Sequence, residues 1–133
     1  MTKTMKRMVS GAGGVGTLLG LMSVVVGSLT LLGVKEHGYL VLGWLVAYNV
    51  ALGVLSVVVG GGILKRCWWS PKAAAAIFTS HFAVLGVVIA LWASSAAAPE
   101  SVRSMVFRSV LWAVIAVVVW KGIGTKTREP EPA

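Results

Sequence analysis

Four long apolar runs make up the pattern of this chain, and most of the charge lies in the short polar gaps between them and in the two tails. The runs lie near residues 15–34, 39–64, 73–97 and 104–123. Each run holds roughly the 20 residues that a helix needs to cross a hydrocarbon core of about 30 Å. The pattern therefore predicts an all-α polytopic membrane protein, an antiparallel bundle of four transmembrane helices within residues 11–123.

Composition supports a membrane protein. Of the 133 residues, 57% are hydrophobic and only 12% are charged, whereas soluble domains carry about 25% charged residues. The net charge is +8, but the basic residues lie at the ends of the runs and form no dense face that would follow phosphates. We therefore expect contact with anionic lipid headgroups and no nucleic acid partner. Residues 1–10 are expected to form a basic tail, and residues 124–133 a disordered tail.

The distribution of Lys and Arg predicts the orientation. One side of the membrane would hold nine basic residues, Lys3, Lys6, Arg7, Lys65, Arg66, Lys72, Lys121, Lys126 and Arg128. The other side would hold three, Lys35, Arg103 and Arg108. The positive-inside rule then places both termini in the cytoplasm. We expect an integral protein of a prokaryotic-type plasma (inner) membrane.

The tryptophans agree with this orientation. Trp44 and Trp92 fall near the outer ends of the second and third runs, and Trp68, Trp69 and Trp120 fall near cytoplasmic ends. Amphipathic rings prefer the headgroup level, so we expect these five side chains to anchor the helices at the interfaces. Trp112 lies deeper in its run and is better explained as a packing residue.

Local sequence features predict where helices begin. The glycine-rich stretch 11–16 is expected to fray before the first helix becomes regular. Ser70 and Pro71 predict the start of the third helix, because serine caps helices and proline suits the first turn. Pro99 is expected to end the third helix, with residues 100–103 opening the fourth.

Small residues recur at helical spacing and predict close packing, because membrane helices associate largely through close contact of small side chains. The first run carries a stripe at intervals of 3, 4, 3 and 4, formed by Gly13, Gly16, Gly20, Ser23 and Gly27. The second run carries Gly53, Ser56 and Gly60, and the third carries Ala73, Ala76, Ser80, Ala83, Ala90 and Ser94. We expect helices one to three to approach closely along these stripes.

The first two stripes also repeat each other. Leu19-Gly20-x-x-Ser23-Val24-Val25-Val26-Gly27 matches Leu52-Gly53-x-x-Ser56-Val57-Val58-Val59-Gly60 at an offset of 33 residues. The copies would cross the membrane in opposite directions, as opposed repeats do in transporters. A valine-rich stretch also produces chance matches, so duplication and chance both stay open.

Three polar side chains within the runs are candidates for chemistry: Asn49, His81 and Arg108. Asn49 and His81 would lie at similar depth in adjacent helices, where a hydrogen bond between them is possible, directly or through water. They form either a polar site that binds or relays something, or a pair that satisfies its own hydrogen bonds. Arg108, four residues into the fourth run, is expected to snorkel to the outer headgroups or to form a cationic mouth with Arg103.

Catalytic, metal and cofactor sites are not expected. All four acidic residues, Glu36, Glu100, Glu129 and Glu131, lie in loops or the tail, which argues against a proton-coupled exporter. Cys67 is the only cysteine, so an intrachain disulfide cannot form, and the sequence contains no Cys/His cluster with metal-ligand spacing. His81 as a haem ligand would need a second ligand at matching depth.

The segment from Trp44 to His81 resembles small four-span families of the DoxX type. The shared features are a polar residue in a glycine-rich second span, a basic hairpin and a histidine in the third span. The acidic residue that the resemblance leads us to expect near Asn49 is absent. The resemblance implies four membrane spans and no particular activity.

Three functions remain as hypotheses. The first is a non-enzymatic structural or accessory subunit that packs against a membrane-protein partner or against other copies of itself. The second is an oligomeric channel, transporter or holin-like pore with a polar path past Asn49 or His81. The third is a membrane redox subunit that uses His81.

Overall fold

Four long helices form the regular structure of the protein. The computed structural model describes residues 2–31, 43–95 and 99–124. Its helices are α1 (Lys3–Leu31), α2 (Gly43–Leu64), α3 (Ser70–Ala93) and α4 (Pro99–Val119), and a π-helical turn (Trp120–Gly124) continues α4. All four helices are long and apolar enough to cross a membrane. The prediction of an all-helical chain with four membrane-length apolar helices is confirmed.

The first helix begins earlier than expected. It starts at Lys3, so most of the expected basic tail and the whole glycine-rich stretch 11–16 are helical. Packing explains the difference: Val9 and Ala12 are buried in the core, and Gly13 and Gly16 lie against other helices. These contacts outweigh the low helix propensity of glycine. Residues 125–133, most of the expected C-terminal tail, lie outside the described residues.

The end of α2 is tied to the start of α1 by Arg66. This residue has a φ of 58°, the left-handed conformation of a Schellman helix end, with N–H bonds from Arg66 to Ile63 O and from Cys67 to Gly62 O. Its guanidinium donates to the carbonyl oxygen of Lys6 and the hydroxyl of Ser10, both at 3.1 Å. The basic ends of α1 and α2 therefore lie side by side.

The start of α3 was predicted at the right place but with the wrong cap. The helix begins at Ser70 with Pro71 in its first turn, and Trp69 is the capping residue, without a side-chain hydrogen bond. The Ser70 hydroxyl instead donates backwards to the carbonyl oxygen of Cys67 at 2.6 Å. The ring of Trp69 lies against α2 at Gly62, where an added Cβ would meet it.

The predicted glycine stripes of α1 and α2 meet along their length. A Cβ at Gly20 would lie 2.5 Å from the carbonyl oxygen of Gly53, and a Cβ at Gly53 would lie 2.9 Å from that of Gly20. Further along, Gly60 faces Thr17 and Gly13, whereas Gly27 faces positions 46 and 50 of α2. Later residues of α1 thus meet earlier residues of α2, so these two helices run antiparallel at backbone contact distance.

The contacts of this pair explain the internal repeat. Gly20 and Gly53, which correspond at the 33-residue offset, face each other. Gly27 faces Val46 and Val50, whereas its counterpart Gly60 faces Gly13 and Thr17. Gly13 and Thr17 correspond to Val46 and Val50 at the same 33-residue offset. The α1–α2 contact is therefore locally pseudo-two-fold, and each half of it makes the same use of the repeated residues.

The remaining helices pack differently from the prediction. Beside the α1–α2 pair, α3 packs mainly against α4, with smaller contacts between α1 and α4 and between α2 and α3. The small residues of α3 do not form a close contact with α2, so the expectation of three closely approaching helices is correct only for α1 and α2. The main core joins all four helices and includes Val9, Ile63, Ile77, Trp112 and Ile115.

Candidate functional site

A small polar cavity lies where the four helices converge. Its lining combines five polar side chains with apolar ones and draws on α1, α2, α3 and α4: Leu19, Ser23, Asn49, Leu52, Gly53, Ser56, His81, Arg108 and Trp112. The three polar candidates predicted from the sequence, Asn49, His81 and Arg108, thus line one site. The stripe residues Ser23, Gly53 and Ser56 border the same space.

Arg108 points into the protein rather than towards the expected headgroup layer. It is half-buried, and its Nη1 nitrogen is buried with no hydrogen-bond partner in the described part of the chain. The reason is the length of α4, which begins at Pro99 and not near residue 104. Arg108 therefore lies nine residues into the helix, about 13 Å from its start, and its side chain meets α2 and α3.

His81 is buried, with 3% of its surface exposed, and its partner is Tyr48. The Tyr48 hydroxyl and the His81 Nδ1 atom lie 3.2 Å apart, and the two rings meet edge to face at 85° with centroids 5.8 Å apart. No direct hydrogen bond joins His81 to Asn49 in the described part of the chain. The depth estimated from the sequence placed His81 opposite this turn of α2. It could not distinguish Tyr48 from Asn49, because the side chains of consecutive helical residues point about 100° apart.

Asn49 has an unsatisfied oxygen. Its Oδ1 atom is buried and has no partner among the described residues, although the side chain lines the same cavity as Arg108. Ser56, by contrast, donates to the carbonyl oxygen of Leu52 one turn earlier at 2.7 Å. The cavity therefore contains one cationic donor and one amide oxygen that the described residues leave unpaired, which is costly in an apolar interior.

The space in the cavity limits what it can hold. It offers about 10 Å³ to the centre of a water-sized particle, which is close to the minimum for one water molecule. A haem does not fit beside His81 in this arrangement. No group of three or more His, Cys, Asp or Glu side chains suited to a metal ion occurs among residues 2–31, 43–95 and 99–124.

The tryptophans divide into exposed and packed side chains. Trp44, Trp68, Trp92 and Trp120 are exposed, as an interfacial anchor requires, whereas Trp69 is half-buried against α2. Trp112 is 1% exposed and serves as a packing residue beneath the cavity. Tyr48 is the site residue that the sequence analysis missed, and its position next to Asn49 was the available indication.

Comparisons with known proteins identify no relative, since no family model, no curated protein and no solved structure matches this chain.

Proposed function

We propose that this protein is a non-enzymatic structural or accessory subunit that binds another membrane helix through α3. In this proposal the four helices form an antiparallel bundle in a prokaryotic-type plasma membrane, with both termini in the cytoplasm. The observation that carries the proposal is a stripe of small residues on α3 that the described residues leave exposed.

The α3 stripe follows a seven-residue repeat. Its members are separated by alternating steps of three and four residues, and all of them are exposed: Ala76, Thr79, Ala83, Gly86, Ala90 and Ala93. A Cβ added at Gly86 would meet nothing within 4 Å. A continuous row of small side chains at this spacing is the surface on which a second helix packs with a left-handed crossing.

The other exposed faces of the protein differ from the α3 stripe. After Ser104, the exposed positions of α4 are bulky and apolar: Val106, Phe107, Val110, Val114 and Val117. Such side chains are suited to lipid tails. Small residues expose more backbone and gain little from contact with lipid, but they let a neighbouring helix come close. Where α1 and α2 meet in this same chain, small residues fulfil that role.

Enlarging the stripe tests the proposal. We expect Ala83→Leu to release the partner, because the larger side chain holds the second helix away from α3. The matched control is Val110→Leu, which enlarges an exposed residue of α4 away from the stripe. The measurement is the amount of stoichiometric partner that copurifies with the full-length protein in mild detergent. Equal partner recovery from the two variants, or a wild-type protein that is monomeric and alone, would contradict the proposal.

Cross-linking then distinguishes a second copy from a different protein. Cys67 is the only cysteine, so Cys67→Ser gives a background in which Ala83→Cys is the single thiol. A cross-linked homodimer in membranes identifies another copy as the occupant of the stripe. A cross-link of another mass identifies a different subunit, and the same cysteine at position 110 of α4 should give neither product.

The proposed orientation has a separate test. Seven of the described basic residues lie at the ends of helices that meet near Arg66, namely Lys3, Lys6, Arg7, Lys65, Arg66, Lys72 and Lys121. By the positive-inside rule, this end faces the cytoplasm. A fluorescent reporter that matures only in the cytoplasm should be active when it is fused after Ala133. Activity there from a reporter that works only outside the cytoplasm would reverse the proposed orientation.

A further inference from the structure

The cavity around Arg108 contains a positive charge that no described residue balances. Arginine stays protonated in proteins, and buried charges are normally paired or bind an ion. Only one of the four acidic residues, Glu100, lies in the described part of the chain. It belongs to the first turn of α4, eight residues before Arg108, which is about 12 Å along the helix. Among residues 2–31, 43–95 and 99–124, no carboxylate therefore lines the cavity beside this charge.

The lining of the cavity is suited to an anion. The Nη1 nitrogen of Arg108 is an unpaired donor. Rotation of the Asn49 carboxamide by half a turn exchanges its oxygen and nitrogen, and places an N–H donor where the unpaired Oδ1 atom now lies. When the Tyr48 hydroxyl donates to Nδ1 of His81, the ring proton is on Nε2, which makes that nitrogen a third donor. The described lining contains no carboxylate.

The size of the cavity selects among anions. Space for one water-sized particle is much closer to the size of a single halide ion than to that of a phosphate or a lipid headgroup. The apolar part of the lining, Leu19, Leu52 and Trp112, favours an ion that loses its hydration shell readily. We propose that this cavity binds a single chloride ion, held by the Arg108 guanidinium and the Asn49 amide. The proposal is independent of the docking of a partner on α3.

Thermal unfolding of the purified full-length protein in detergent tests the proposal. Because a ligand that binds only the folded state raises its stability, we expect the melting temperature to rise with sodium chloride or bromide and to saturate. Gluconate and sulfate at the same ionic strength are too large for the cavity and should produce no rise. Equal effects of chloride and sulfate would indicate screening of surface charge, with water in the cavity, and would overturn the proposal.

A matched pair of arginine variants assigns the effect to the cavity. Arg108→Gln should abolish the chloride-dependent rise, whereas Arg103→Gln, which removes an exposed charge from the same helix, should retain it. A rise that persists in Arg108→Gln would overturn the proposal. If that variant does not fold, Asn49→Leu decides the question. Loss of its charge-assisted hydrogen bond should weaken chloride binding in calorimetry roughly ten-fold, and unchanged affinity would contradict the site.

Discussion

The substitution Gly60→Ala is expected to cost about 2–3 kcal/mol of unfolding free energy, because the added methyl group has no space between α1 and α2. Its Cβ would lie 2.7 Å from the backbone nitrogen of Thr17 and 2.9 Å from the carbonyl oxygen of Gly13. These atoms belong to the backbone, so no side-chain rotation relieves the contact and the two helices must move apart. Unfolding in mixed detergent micelles, followed by circular dichroism, measures the loss.

The adjacent residue provides the control for this prediction. A Cβ at Gly61 would meet nothing within 4 Å, and alanine is the better helix former by about 1 kcal/mol. Gly61→Ala should therefore be neutral or stabilising. Gly27→Ala, at the pseudo-symmetric position, should cost less than Gly60→Ala because its close neighbour is the side chain of Val50. Equal stability of the Gly60 and Gly61 variants would refute the close α1–α2 contact.

The second large effect is expected from Trp112→Ala. Trp112 is almost fully buried in the core that joins the four helices, and its ring lies against α1 at Gly16, where an added Cβ would be 3.2 Å away. We expect a loss of about 3 kcal/mol, the low end for such truncations, because the alternative surroundings of the side chain are lipid rather than water. The same unfolding assay measures it.

Trp92→Ala is the matched comparison, since Trp92 is 49% exposed. The loss of unfolding free energy in Trp92→Ala should be well under half of the loss in Trp112→Ala. If both variants lost the same free energy, the stability of the protein would come from interfacial tryptophans in general and not from the core around Trp112.

The sequence predicted the parts of the fold that depend on one helix at a time. Length and hydropathy define four membrane-length helices, and spacing identifies which small residues share a face. The α1–α2 contact could be predicted because both faces carry small residues and the helices are joined in sequence. Spacing on α3, however, defines a face without saying which neighbour it meets. In the structure four of its six predicted small residues are exposed, namely Ala76, Ala83, Ala90 and Ser94.

The sequence predicted which polar residues line the candidate site, but not how their side chains point or which hydrogen bonds they form. Asn49, His81 and Arg108 were identifiable as polar residues in apolar runs, yet the direction of Arg108 depended on where α4 begins. A start at Pro99 rather than near residue 104 moves Arg108 by about one and a half turns further from the helix end. The bond from Tyr48 to His81 depended on a difference of one residue, which an estimate of depth does not resolve.

The length of α1 has a mechanical consequence. A helix of 29 residues measures about 43 Å, roughly 13 Å more than the apolar layer that it would cross. Its first turns are held by Arg66, which bonds Lys6 and Ser10, and by packing of Val9 against Gly122. The amino-terminal turns are thus rigidly attached to the rest of the protein. A spin label or fluorophore attached at Lys3 is expected to tumble at the slow rate of the whole protein–detergent complex.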